Sequence, residues 1–199
     1  MNNIIYVIGG SDSRNRLRSF DSFDPSTNKW KTLPPLDVGR SDGAALAYRN
    51  RIWIFGGFDG NRTLSRVEAY DPLTNTWTDM PSMIEPRSGH CAVLFNGKMF
   101  IIGGFQHGRS TNTVEYYDNG IWKSAPPMSA PRSNFDAVVV DECIYVIGGH
   151  VSEESIGHCE KFDGEIWTPI HYLTKPIAAG AAMFIEKPPH VAKLLGRLS

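Results

Sequence analysis

Lys98-Met99-Phe100-Ile101-Ile102-Gly103-Gly104 is an apolar, strand-like run that stops on a glycine doublet, and a lone tryptophan, Trp122, follows 18 residues after Gly104. The arrangement occurs four times. The doublets are Gly9-Gly10, Gly56-Gly57, Gly103-Gly104 and Gly148-Gly149, and the tryptophans are Trp30, Trp77, Trp122 and Trp167. From each of the first three tryptophans to the second glycine of the next doublet the distance is always 27 residues. From second glycine to tryptophan it is 20, 20, 18 and 18. A period of 47 or 45 residues marks a repeat architecture in which each unit is too small to bury its own apolar face and must stack on its neighbours.

Each unit reads as four short strands. The first is small and apolar (Asp42–Tyr48, Gly89–Phe95, Asn134–Val140) and the second runs into the doublet (Arg51–Gly57, Lys98–Gly104, Cys143–Gly149). The third ends in an aromatic-Asp pair, at Phe23-Asp24, Tyr70-Asp71, Tyr117-Asp118 and Phe162-Asp163, and the fourth starts at the tryptophan. Val, Ile, Tyr and Phe in the runs, with Gly, Asn, Asp and Pro between them, is strand-and-turn chemistry. The step from 20 to 18 is local: Asp24-Pro25 and Asp71-Pro72 open longer turns than Asp118-Asn119-Gly120 and Asp163-Gly164. Asn119-Gly120 suits a two-residue hairpin, whose central positions both need positive φ. A hairpin that shortens while the rest of the period holds fits an antiparallel meander. The repeats contain no window with a helical period.

The 199 residues suffice for one sizeable core, and the formal net charge of −1 argues against a general polyanion binder. There is no run of about 18 apolar residues, so no membrane span is expected. Met1-Asn2-Asn3 leads into Ile4-Ile5-Tyr6-Val7-Ile8 without a basic n-region, so no signal peptide is evident. Cys91, Cys143 and Cys159 have no CxxC spacing and read as reduced, buried thiols, which points to a cytoplasmic setting.

The doublets are not phosphate loops, because a polar loop and another strand follow them rather than a helix N-terminus. Their role is close backbone approach at the end of strand two. The tryptophans read first as wedge fillers between adjacent sheets. Arg40-Ser41, Arg87-Ser88 and Arg132-Ser133 each begin ten residues after a tryptophan.

These residues together resemble the Kelch family: Arg-Ser before the first strand, an aromatic-rich strand ending in Gly-Gly, a Tyr/Phe-Asp-Pro turn, and a Trp six residues on. Phe58-Asp59-Gly60 after Gly57 fits the pattern too, and the resemblance spans residues 4–185. It implies an all-β protein, a β-propeller of four-stranded antiparallel blades. The repeats fall at about 1–40, 41–87, 88–132 and 133–177, offset by one strand, so that a closing strand at 178–185 could complete the first blade. The propeller would occupy 1–186 and a tail 187–199, whose Val191, Leu194, Leu195 and Leu198 have helical spacing but are too few for a stable isolated helix. Two closures stand: a four-bladed ring, or part of a six-bladed propeller, the usual form of the resembling proteins. A shortened relative of the latter is expected.

Propeller sites sit on loops held by the rigid frame. Loops between strands two and three supply Arg14, Arg16, Phe58, Arg62, Phe105, His107, Arg109 and His150; the Arg-Ser pairs add Arg40, Ser41, Arg87, Ser88, Arg132 and Ser133. Together they are expected to form a cationic rim with aromatic anchors for an acidic or phosphorylated peptide. The register of the Arg-Ser pairs equally suits bracing between blades. Glu153 and Glu154 make the rim asymmetric, and Lys175-Pro176-Ile177 replaces a fourth Arg-Ser. Resemblance to Kelch-like substrate adaptors implies the substrate-reading part of a cullin-RING ubiquitin ligase, with separate BTB and BACK domains recruiting the ligase; actin binding is the second reading. No cofactor or nucleic-acid partner is expected. A copper oxidase or sugar isomerase is disfavoured, because His90, His107, His150, His158, His171 and His190 lack ligand-type spacing, and His90 and Cys91 point to opposite faces of one strand. Asp24, Asp71, Asp118 and Asp163 repeat with the turns, which favours turn hydrogen bonding over acid–base chemistry.

Overall fold

The computed structural model describes residues 3–183, and among them the chain is built from nineteen strands without a helix. The first sheet contains β1 (Ile5–Ile8), β2 (Phe20–Asp24) and β3 (Lys29–Thr32). The second contains β4 (Ala44–Tyr48), β5 (Arg51–Phe55), β6 (Val67–Asp71) and β7 (Thr76–Met80). The third joins β8 (Cys91–Phe95), β9 (Lys98–Ile102), β12 (Val114–Asp118) and β13 (Ile121–Ala125), with a small hairpin of β10 (Phe105–Gln106) and β11 (Arg109–Ser110) beyond the doublet. The fourth joins β14 (Asp136–Val140), β15 (Cys143–Ile147), β18 (Cys159–Phe162) and β19 (Trp167–Ile170), with the hairpin β16 (His150–Val151) and β17 (Glu154–Ser155). All pairings are antiparallel between sequence neighbours within a sheet, as in blades of a propeller.

Three apolar clusters fill the three seams between consecutive blades. Phe20, Leu33, Ile52 and Tyr70 join blades one and two. Trp53, Phe55, Val67, Met99 and Ile101 join two and three. Phe95, Phe100, Ile102, Phe135, Ile144 and Phe162 join three and four. Alternate residues of one strand therefore face opposite seams: Met99 and Ile101 of β9 point toward blade two, Phe100 and Ile102 toward blade four. This is why strand two is apolar in the units flanked on both sides, where both faces pack on a neighbouring blade; in the first unit Ile5 and Val7 of β1 are exposed.

Strands one to three lie inside the expected spans, and strand four begins at Trp167 in the last unit but one residue before the tryptophan, at Lys29, Thr76 and Ile121, in the others. Strand one starts at Ala44, Cys91 and Asp136, because Asp42, Gly89 and Asn134 take left-handed backbone at φ 56°, 58° and 51°. These three link the blades in series. The Gly89 amide donates to Asp42 O at 2.8 Å, Asn134 to Gly89 O at 2.8 Å, and Ala179 to Asn134 O at 2.7 Å. The Asn119-Gly120 turn has positive φ at both positions, as the shortened hairpin requires.

Trp77, Trp122 and Trp167 lie half-buried against the preceding blade. Their indole N–H groups donate to Pro34 O, Pro81 O and Pro126 O at 2.8, 2.8 and 2.9 Å. Trp30 differs: it is 61% exposed and packs on Phe23 of its own blade. The first sheet has three strands among the described residues. Residues 178–183 of the expected closing strand form no ladder, and 184–185, like the tail 187–199, lie outside the described residues. The chain nevertheless continues past blade four as the earlier blades do, for Gly149 donates to Ile177 O where Gly57 and Gly104 donate to Arg87 O and Arg132 O.

The cysteines are unpaired. The Cys91 thiol donates to Phe135 O at 3.0 Å, and burial pushes its pKa up. No helix among the described residues is long and apolar enough to cross a membrane.

Candidate functional site: the mouth above the glycine doublets

The doublets and the Arg-Ser pairs meet at one end of the blades. Gly56 has φ 51°, and a Cβ there would lie 2.6 Å from Arg87 O, so the doublet is what lets one blade touch the next. Just beyond it the chain pairs back on its own blade. Phe58, Phe105 and His150 exchange backbone hydrogen bonds with Ser41, Ser88 and Ser133 at 2.7–3.1 Å. Phe58, Phe105 and His150 are thereby fixed at the lip of one shared cavity. The result is a cavity of about 370 Å³, lined by Phe58, Phe105 and His150 with Ser88, Ser133 and Asn134. Phe105 is 38% exposed, a large apolar surface left open there.

The rest of the expected rim divides in two. Arg14, Arg62, His107 and Arg109 are exposed on the loops. Arg16 lies over the Phe58 ring at 5.2 Å, and Arg62 faces Asp59 at 3.7 Å. An adjoining groove of about 670 Å³ carries Arg62, Arg66 and His107 and shares Thr63 with the mouth. Arg66 in that groove is held by Asp37, Glu68 and Asp79, so Arg14, His107 and Arg109 are exposed basic side chains outside these pairs, while on the far side Glu153 and Glu154 are exposed.

Arg40, Arg87 and Arg132 are a correction to the expected rim. Their exposures are 1%, 1% and 0%, so they offer nothing to a ligand at the surface. Each guanidinium turns inward onto a buried glutamate of its own blade, Arg40 onto Glu68, Arg87 onto Glu115 at 3.0 Å and Arg132 onto Glu160 at 2.7 Å. Each also donates to the first carbonyl of its own doublet, Gly56 O, Gly103 O or Gly148 O. Burial pushes Glu68 and Glu115 up and Arg40 and Arg132 down, against the mutual attraction of each pair. These arginines clamp strands two and three at the end that carries the loops. Ser41, Ser88 and Ser133 are likewise largely buried, with Ser88 and Ser133 keeping a face on the mouth.

Sequence reasoning missed the three glutamates. Their signal was a constant offset: Glu68, Glu115 and Glu160 each lie 28 residues after the arginine. It also missed Asp42 and Asn134 at the mouth, where Asp, Gly and Asn recur two residues after each arginine and are the types that tolerate left-handed backbone. The turn aspartates Asp24, Asp71 and Asp163 accept amide hydrogen bonds at 2.8–2.9 Å within their turns. Among the described residues no group of three His, Cys, Asp or Glu side chains could hold a metal ion.

Four-stranded blades, stacked face to face and bonded in series by their doublets, define a β-propeller module. The KLHDC2/KLHL20/DRC7 Kelch-repeats domain matches residues 1–149, and the Kelch motif matches 131–170, so the chain belongs to the Kelch-repeat family. No curated protein is matched by the chain. Among solved structures it is similar to the one titled "Structure of YjhT", with a TM-score of 0.79 at 16% identity over 89% of this chain. At that identity the likeness is one of fold. The chain spans 65% of the length of that structure.

Proposed function

We propose that this protein is a protein-interaction module that binds an extended, acidic or phosphorylated segment of a partner across the mouth. The observation that carries the reading is the lip of Phe58, Phe105 and His150 around a 370 Å³ cavity, beside a groove that carries Arg62, Arg66 and His107. The frame fixes the backbone of these three positions alike, and two of the three present a phenyl ring while the third presents an imidazole. Aromatic side chains supply buried area and the exposed arginines supply bidentate capture of carboxylate or phosphate. With the clamp arginines withdrawn into the blades, Arg16, Arg62, His107 and Arg109 are left to read the charge. The acidic part of the segment runs over blades two and three, away from Glu153 and Glu154. In this reading the module is a substrate reader of a cullin-RING ubiquitin ligase, acts in the cytoplasm, and performs no catalysis itself.

The test is selection from a displayed peptide library, followed by affinity measurement. Enriched peptides should be rich in Asp, Glu or phosphoserine. They should lose about tenfold or more in affinity on Phe105→Ala, and again on Arg62→Ala/Arg109→Ala, while Lys29→Ala on the outer strand of blade one has no effect. Enrichment of basic peptides, or affinity indifferent to Phe105→Ala, refutes the reading. Capture of the enriched sequence in a protein that is ubiquitinated with this chain's help would establish the ligase role; capture of filamentous actin instead would favour the cytoskeletal one.

A further inference from the structure

The opposite end of the propeller, where the strand one–two and strand three–four hairpins turn, holds a second cleft at the seam of blades two and three. Its volume is about 570 Å³, and its walls include Tyr48, Arg49, Arg51, Lys98, Tyr117 and Asp118. We infer that this cleft is a binding site for a phosphate monoester, separate from the mouth.

Charge is the first argument. Arg51 pairs with Asp71 at 3.3 Å, and Asp118 is shared by Lys98 at 3.6 Å and Lys123 at 2.8 Å. Arg49 has no carboxylate within 4.0 Å among the described residues and lies over the Tyr48 ring at 5.1 Å. The cations that line the cleft are Arg49, Arg51 and Lys98 against Asp118, and Arg49 is the one of them without a carboxylate partner among the described residues, an excess that suits an anion. An arginine fork and an ammonium beside it match the oxygens of a phosphate. Tyr48, Tyr117 and the edge of Trp53 give aromatic surface beside these cations, against which a group attached to that phosphate would pack.

Repetition is the second argument, because the next seam is a built-in control. The corresponding cleft between blades three and four, about 390 Å³, has Phe95 where the first has Tyr48, Asn96 where it has Arg49, and Phe100 where it has Trp53. Across that seam Asp141, Glu142 and Cys143 stand in place of Asn96, Gly97 and Lys98. Lys98 lines that cleft where the first has Arg51, so a cation is kept at this place in both seams, whereas the frame does not require Arg49.

Backbone conformation is the third. The strand one–two turns take positive φ at both central residues, which Asn96-Gly97 supplies readily. Arg49 sits in the same left-handed region at φ 48°, where a long side chain is disfavoured and Asn is better tolerated. An arginine kept there against local preference points to a use for its side chain.

Calorimetric titration with inorganic phosphate, AMP and O-phosphotyrosine amide tests this, with adenosine and tyrosine amide as phosphate-free controls. At least one phosphate-bearing probe should bind saturably, tighter than its control. Arg49→Asn and Lys98→Cys, which install the residues of the next seam, should each weaken it about tenfold or more. Lys31→Ala on β3 should leave it unchanged. Preference for AMP assigns a nucleotide, and preference for phosphotyrosine amide assigns a phosphorylated side chain of a partner; either upholds the site. Arg49→Asn should melt no lower than the parent, so that lost binding is not lost folding. No saturable binding up to about 10 mM, equal binding of adenosine and AMP, or binding indifferent to Arg49→Asn overturns the inference.

Discussion

His90 offers the sharpest test of how the seams hold the blades together. It is 5% exposed, its ring nitrogens are buried with at most a weak contact to the Phe55 backbone among the described residues, and a Cβ on Gly104 would lie 2.8 Å from its own Cβ. Burial, with the Arg87 guanidinium nearby as a second cause, depresses its pKa from 6.5 to about 3. A base with a depressed folded value destabilises the fold as pH falls. Above about 6.5 the imidazole is neutral in both states, and below that only the unfolded chain takes up the proton. At pH 5 the unfolded side chain is about 1.5 units below its pKa while the folded one is still neutral, which costs about 2 kcal/mol. For a chain of this size that is roughly 4–8 °C in Tm. Phe135 occupies the equivalent position one blade on, against Gly149 with the same 2.8 Å approach, so the frame accepts His90→Phe. Thermal denaturation of parent and variant at pH 8, 7, 6 and 5 reads the difference. The carboxylates and the remaining histidines are common to parent and variant, so their titration cancels in the comparison. The parent should lose about 2 kcal/mol more than His90→Phe between pH 8 and 5. Parallel curves would show that His90 is not buried and neutral, and would refute the seam packing around it.

Three further outcomes follow from the geometry. Arg87→Met should cost about 3–5 kcal/mol in denaturant unfolding, because it leaves Glu115 buried with the Ile84 amide as its remaining strong donor; Arg87→Met/Glu115→Leu should cost less than the sum of the single changes. Trp77→Phe should lose about 1 kcal/mol with the bond to Pro34 O, whereas Trp30→Phe, at an exposed site, should stay within about 0.5 kcal/mol. The amides of Ile166 and Glu165 hold Asp163 below the usual carboxylate range, so its contribution is present above about pH 4 and lost as pH falls through the folded value; Asp163→Asn should flatten the acid limb of the Tm profile below pH 4.

The blades were readable because their cause is local. Apolar runs, turn residues and a fixed 27-residue arm define each meander, and Asn119-Gly120 named its own turn. The clamp was not, because a charged residue on an alternating strand looks the same whether its face meets water or another blade. Glu115 in Val114-Glu115-Tyr116 reads as the solvent face of β12, yet it is 1% exposed. Only its constant distance from Arg87 carried the information, and a pair 28 residues apart is invisible to local pattern. The same blindness left Arg40, Arg87 and Arg132 divided between the rim and a bracing role, and burial decides for the second. Phe58, Phe105 and His150 were found because they directly follow the doublets, whose geometry fixes where the next residue sits. What remained at the mouth after the arginines were withdrawn is smaller and more aromatic than the expected ring of charge.

Hydrogen–deuterium exchange on the chain with and without an enriched acidic peptide bears most directly on the claim that the frame holds and the loops bind. Protection should appear in the segments 58–63, 105–111 and 150–155 around the mouth and leave the exchange of β3 and β7 unchanged. Protection confined to the outer strands, or a bound peptide that protects none of the three loops, would contradict the account.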